Sequence, residues 1–217
     1  MIADYPFFLR IAERVQWDDA AIDLSADVAG WPAGERVTEL VAGFCVGEAG
    51  VAEHLHDFFD GPAAACFAAQ RRDERRHARF FARYVDTVGL DDPRAHLSDE
   101  FVALFEQRLP EAAARAGAEA VGLYHMVLEG VVFTAGQLAL LELLDDRLPG
   151  LRAGIELVLR DERWHVGFGT RCLLDAGITA DRAQAILDEG ERAAAVWAPE
   201  QAARVTATLR RRLAAIA

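Results

Sequence analysis

Lysine is missing altogether from this 217-residue chain, and all 23 basic residues are arginine. Schiff-base chemistry and a P-loop lysine are therefore excluded. Positive charge is scarce against 35 Asp and Glu. The formal charge of −12 argues against nucleic acid or an anionic lipid surface as partner. Cysteine is limited to Cys45, Cys66 and Cys172, an odd number with no CxxC pair. That usage predicts reduced thiols in a cytoplasmic compartment rather than a disulfide framework. The opening MIADYPFFLR lacks a basic segment ahead of an apolar one, so no signal peptide is expected. There is no HExxH, which leaves a zincin-type protease unsupported.

Apolar residues, in contrast, make up 53% of the chain, enough for one domain of residues 1–217 with a sizeable core. The long run at 120–144, AVGLYHMVLEGVVFTAGQLALLELL, has the length of a membrane span. It carries His125, Glu129, Gln137 and Glu142, however, and a helix buried within a bundle accounts for it better. Apolar periodicity near 3.6 recurs along the chain and no β alternation competes with it. The pattern predicts an all-α protein with a short helix near 4–16 and long helices at about 35–59, 63–89, 118–146 and 150–176. A shorter helix starts at Ser98, and one or two more follow Thr179, interrupted near Pro199. Short links between the long helices imply antiparallel neighbours.

One motif is written twice. Asp73-Glu74-Arg75-Arg76-His77 returns as Asp161-Glu162-Arg163-Trp164-His165. Glu74 and His77 share a helix face with Phe67, Phe81 and Val85, and Glu162 and His165 share one with Ile155, Val158 and Phe168. Glu48 falls in the stripe of Leu40, Phe44 and Val51, and Glu129 in that of Met126, Val132 and Phe133. An unpaired carboxylate is expensive in such places. Glu48 and Glu74 are equidistant from Gly61, which sets them at one level of an antiparallel pair, and Glu129 and Glu162 straddle the next turn in the same way. Glu53 and His56 also read ExxH, but their face is weaker and their level is off by about 7 Å at ~1.5 Å per residue.

Four inward glutamates cannot stay charged alone. Two divalent cations offset them, and oxygen-rich ligands with one imidazole per metal suit iron or manganese while leaving positions open for dioxygen. One Glu from each of two helices plus an ExxH from each of two others is the di-iron/di-manganese carboxylate bundle pattern. A buried polar network without metal is the alternative reading of the same residues.

The chain resembles the ribonucleotide reductase small subunit and its ligand-binding oxidase relatives over about residues 14–176. The resemblance rests on WDDAAIDLS, GEAGVAEHL, DERRHARFF and RDERWHVGFG. It implies a ferritin-like four-helix bundle with flanking helices. Glu48, Glu74 and His77 would hold one metal and Glu129, Glu162 and His165 the other, with Glu74 and Glu162 as bridging candidates. Trp17, Asp161 and His77 match a tryptophan–aspartate–histidine chain that orients the imidazole and routes an electron, although Trp17 also reads as an ordinary core aromatic. Phe81 stands where radical-bearing small subunits have a tyrosine, and TLRRRLAAIA contains none, which disfavours a reductase role. YHMVLEG resembles a run of the oxidases in which the tyrosine forms an ether with a valine. The matching pair here is Tyr124 and Val51, and a buried tyrosine satisfied by a neighbour is the alternative. His125 is either a seventh ligand or a packed core histidine. Gly130 and Gly136 either leave room for a ligand or serve close packing.

The expectation is an oxygen-activating Fe/Fe or Mn/Fe oxidase or oxygenase. It would act on an apolar small molecule such as a fatty acid, with an external electron donor, and form a homodimer. A reductase small-subunit homologue or a ferroxidase is the alternative.

Overall fold

The computed structural model describes residues 2–217 and is helical, without strands among them. In chain order the helices are α1 (Tyr5–Arg14), α2 (Ser25–Gly30), α3 (Glu35–His54), α4 (Ala64–Val88), α5 (99–115), α6 (Gly117–Leu143), α7 (Pro149–Ala176), α8 (Ala180–Trp197) and α9 (Pro199–Ala214). Helices α3, α4, α6 and α7 form the central bundle. Helix α1 crosses α4 and α7 on one side, and α8 and α9 cover α6 on the other. The apolar run at 120–144 is therefore a core helix, and 67% of its most apolar stretch is buried inside the protein. The expected boundaries near 89 and 176 coincide with glycines. Gly89 and Gly177 take positive φ (70° and 64°), and after the first of these Leu90 N–H reaches back to the Val85 carbonyl at 2.9 Å.

Three features depart from the periodic reading. The helix expected to reach 59 stops at His54. The chain then peels away, which seats Phe58 edge-on against Phe67 and Tyr124 and lets its carbonyl accept the Gly117 N–H at 3.0 Å. Tertiary packing overrides helical continuation there. The stretch between Trp17 and Glu35, for which the periodic pattern predicts no helix, contains the short helix α2. Finally, Gly122–Phe133 is wound as a π-helix, so that Tyr124 and Glu129, five residues apart, lie one turn from each other.

Helix α2 has a definite task. The Asp27 carboxylate, fully buried, accepts from the Gly150 and Leu151 N–H groups at 2.9 and 2.8 Å. It caps the start of α7 from a distance, where the local N-cap residue, Leu148, has no side-chain acceptor. Gly136 turns out to serve packing: a Cβ there would lie 2.6 Å from the Trp197 indole nitrogen.

Asp27→Ala is expected to lower unfolding stability by about 2 kcal/mol, the scale of a lost cap with charge-assisted bonds. Denaturant melts of the two proteins measure it, and an unchanged midpoint contradicts the assignment.

Candidate metal centre

The six side chains singled out from the sequence meet in the middle of the bundle. Glu48 comes from α3, Glu74 and His77 from α4, Glu129 from the π segment of α6, and Glu162 and His165 from α7. None is more than 1% exposed. They fall into two groups suited to a metal ion: Glu48, Glu74, His77 and Glu162, then Glu74, Glu129 and His165, with the ligand atoms of each group within 4.8 Å of one another. His77 Nδ1 lies 3.6 Å from Glu48, 3.7 Å from Glu74 and 3.6 Å from Glu162. His165 Nδ1 lies 3.2 Å from Glu74, 3.6 Å from Glu129 and 3.5 Å from Glu162. Glu74 and Glu162 each turn one oxygen toward one histidine and the second oxygen toward the other.

The imidazoles are held from behind by a crossed pair of aspartates. His77 Nε2 faces Asp161 at 3.3 Å, and His165 Nε2 faces Asp73 at 3.4 Å, so the aspartate of each DERxH motif backs the histidine of the other. Each aspartate also accepts from an indole, Trp17 on Asp161 at 2.7 Å and Trp164 on Asp73 at 3.2 Å. Buried Arg76 ties the two together, reaching Asp73 at 2.7 Å and Asp161 at 2.8 Å. An imidazole that donates its Nε2 proton outward presents the Nδ1 lone pair inward, the tautomer a metal requires. The sequence reading found Trp17 and Asp161 but missed Asp73, Trp164 and Arg76. The repeat of DERxH was the signal, since it writes Asp in the same place twice.

Gln70, one helical turn before Glu74, was missed as well. Its amide donates to Glu129 at 2.6 Å and to Glu74 at 3.1 Å, and its carbonyl faces His125 Nε2 at 3.0 Å. His125 thus stands behind Gln70, outside both metal-suited groups. Its ring occupies space that a side chain at Gly169 would fill. Burial, together with the nearby charge of His165, pushes the His125 pKa down to about 3, so it is neutral. Tyr124 is fully buried, with its hydroxyl 3.4 Å from the Val51 carbonyl oxygen, so the structure brings these two residues together. Burial and the four carboxylates hold its phenol well above the ordinary value. Phe81 stacks on Phe44 at 5.1 Å. Glu53 and His56 are exposed.

Do these residues fit metal ions? Glu48 and Glu162 have both carboxylate oxygens without a hydrogen-bond partner. Glu74 and Glu129 have one each, and both histidine Nδ1 atoms are likewise unpartnered, all of them buried. Buried polar atoms are almost always satisfied. Eight orphans facing one another, with the outward nitrogens satisfied, are what a pair of cations would complete.

Without metal the cluster holds extra protons. Burial pushes Glu48 up to about 8 despite the opposing pull of His77. His77 and His165 sit well above 6.5, because the surrounding carboxylates outweigh the cost of burial. Only Glu74 goes the other way, to about 2, where the two imidazoles overcome burial, and that acts below pH 4.5. From pH 6.5 to about 8 the folded metal-free chain therefore binds more protons than the unfolded one, and its stability falls as pH rises. Melting temperature measured across that range should decline for metal-free protein, and a rise would contradict the charge arrangement. Separately, Asp73→Ala is expected to weaken metal binding about 10- to 100-fold, as loss of a group that orients a ligating histidine does. Competitive chelator titration reads this, and undiminished affinity would remove Asp73 from the role.

No family model matches the sequence. Solved structures do match over nearly its whole length. An R2-like ligand-binding oxidase, a tyrosine-to-phenylalanine variant with aerobically reconstituted Mn/Fe cofactor, superposes with a TM-score of 0.82 at 20% identity. The match covers 99% of this chain and 94% of the other. A valine-to-alanine variant with anaerobically reconstituted Mn/Fe cofactor gives the same score, identity and coverage. An R2-like ligand-binding oxidase with aerobically reconstituted Mn/Fe cofactor after a long soak gives 0.76 at 23%, covering 97% and 89%. The chain has the ferritin-like fold of the R2-like ligand-binding oxidases.

Proposed function

We propose that the chain is a dinuclear non-haem metal oxidase that uses dioxygen. The observation that carries this reading is the position of Glu74 and Glu162, each offering one oxygen to the neighbourhood of each histidine. In this reading Glu48 and His77 serve one ion, Glu129 and His165 the other, and Glu74 and Glu162 bridge. A donor set of oxygen and nitrogen without sulfur suits Fe/Fe or Mn/Fe. When bound, such ions supply the dioxygen activation and electron transfer that no side chain here provides. The likeness to oxidases whose cofactor is Mn/Fe supports the choice.

The chain's own residues then have definite tasks. The crossed aspartates fix both imidazoles, and Gln70 holds Glu74 and Glu129 in place. Trp17, half-buried, is the outer end of a hydrogen-bonded series through Asp161 to His77 and serves electron entry from an external donor. Tyr124 and Val51 are assigned to ether formation. The new bond joins the Tyr124 oxygen to a Val51 side-chain carbon. The phenolic hydrogen and one Val51 hydrogen leave, and two electrons pass to dioxygen. A cavity of about 230 Å³ between α6, α7 and α9 has Gly130 and Glu162 in its wall and suits an apolar small molecule such as a fatty acid. A single domain, a homodimer and a cytoplasmic location complete the reading.

A ferroxidase would use the same six ligands without an organic substrate, and the cavity beside Glu162 favours the oxidase. A tyrosyl-radical reductase subunit is disfavoured by Phe81, which has no phenol to oxidise.

Aerobic reconstitution with Fe(II), with and without Mn(II), tests the proposal. Two ions per chain and uptake of dioxygen are expected, with a fused Val51–Tyr124 peptide pair in a digest, lighter by two hydrogens. Uptake without fusion removes the ether and keeps the oxidase. Two bound ions with no uptake remove the oxidase. Assembly into a large iron-filled shell would favour the ferroxidase.

A further inference from the structure

His125 is a buried imidazole to which the proposed chemistry gives no task. It stands in the π segment of α6, four residues before Glu129, and is fully buried. Its ring packs against Tyr124 at 4.9 Å, Phe168 at 5.6 Å and Phe67 at 6.0 Å. Gly169 keeps the place open, since a Cβ there would lie 2.3 Å from the His125 Cβ. The ring Nε2 lies 3.0 Å from the Gln70 amide oxygen, and among the described residues Nδ1 has no hydrogen-bond partner. The other end of that amide meets the metal centre. The Gln70 nitrogen donates to Glu129 Oε1 at 2.6 Å and to Glu74 Oε1 at 3.1 Å. Those are the two oxygens that face His165 Nδ1, at 3.6 and 3.2 Å. Glu48 and Glu162 receive no such bond on either oxygen. Gln70 therefore acts on the His165 side of the centre.

An amide turned end for end keeps its shape and exchanges its donor and acceptor. Turned over, Gln70 would set its oxygen against two carboxylate oxygens. In the observed orientation that oxygen faces His125 instead, and the contact is a hydrogen bond when Nε2 carries the ring hydrogen. The same hydrogen would clash with the NH2 group of a turned amide. We infer that His125 is a positioning residue. Its Nε2–H locks Gln70 with the NH2 group toward Glu74 and Glu129, and so sets the affinity of the ion held on the His165 side separately from the one beside His77. The inference rests on the dinuclear reading of the site and deepens it: a support on one side only makes the two metal positions unequal.

Manganese(II) binding to the full-length chain, measured without oxygen by competition with a chelator, tests this in His125→Asn and His125→Gln. A glutamine sets its amide nitrogen close to where Nε2 lies, whereas an asparagine is too short to reach Gln70. Both are smaller than histidine, so any loss of packing is common to the two. His125→Asn is expected to weaken one ion about tenfold and leave the other within about twofold, while His125→Gln keeps both within about threefold. Gln70→Leu should reproduce the loss, and His125→Asn added to it should cost nothing more, because the two residues act as a unit. Anomalous diffraction from the His125→Asn chain at limiting manganese should place the retained ion beside His77. His125→Phe, which keeps a ring and removes the donor, takes the place of the asparagine variant if that does not fold. Equal losses in the glutamine and asparagine variants, losses that multiply in the double variant, or weakening of both ions alike overturns the proposal. So does a His125→Asn chain that binds two ions as tightly as the unaltered one, and the dinuclear reading then stands while this role fails. An unaltered chain that binds no ion overturns that reading and the role with it.

Discussion

Four carboxylates buried within one helical bundle set the terms for everything around them. Like charges so close in a medium of low dielectric repel strongly, and each has lost its water. The metal-free protein meets this with protons: the histidines stay charged and Glu48 and Glu129 are pushed toward their neutral forms. That solution leaves eight polar atoms without partners. Two divalent cations would replace the protons and satisfy the same atoms, so the need for charge balance and the need for ligands have one answer.

Around the carboxylates the chain builds a frame that fixes positions rather than merely filling space. Asp73 and Asp161 cross over to back each other's histidine, and Arg76 joins them, so the two DERxH motifs are mechanically one unit. Asp27 anchors the start of α7, which carries two of the six side chains. The π winding of Gly122–Phe133 brings Tyr124 within a turn of Glu129. Gly169, one turn beyond His165, leaves the space that the His125 ring fills. A site whose geometry matters needs supports of this kind on rigid elements.

Much of this was legible in the sequence, for a physical reason. Glu48, Glu74, Glu129 and Glu162 stood out because each interrupts an apolar stripe, and the two histidines because ExxH places both groups on one face. Helix ends at Gly89 and Gly177 were readable from glycine. Other features were not. The helix end at His54 depends on Phe58 meeting Phe67 and Tyr124, a contact between distant segments. The π segment has the same residue types as an α-helix, and no periodic signal separates them over so uniformly apolar a stretch. Asp73 was overlooked although the repeat displayed it, because the imidazole it backs, His165, lies 92 residues away on another helix.

The claim on which the rest depends is that the buried acids exist to hold a pair of cations. X-ray absorption at the iron and manganese edges, with metal quantified on the same reconstituted sample, tests it most directly. The account predicts two ions per chain, each surrounded by oxygen and nitrogen neighbours only, with a metal–metal scattering path. A folded chain that takes up no metal, or a single ion, or an ion with sulfur neighbours, would contradict it.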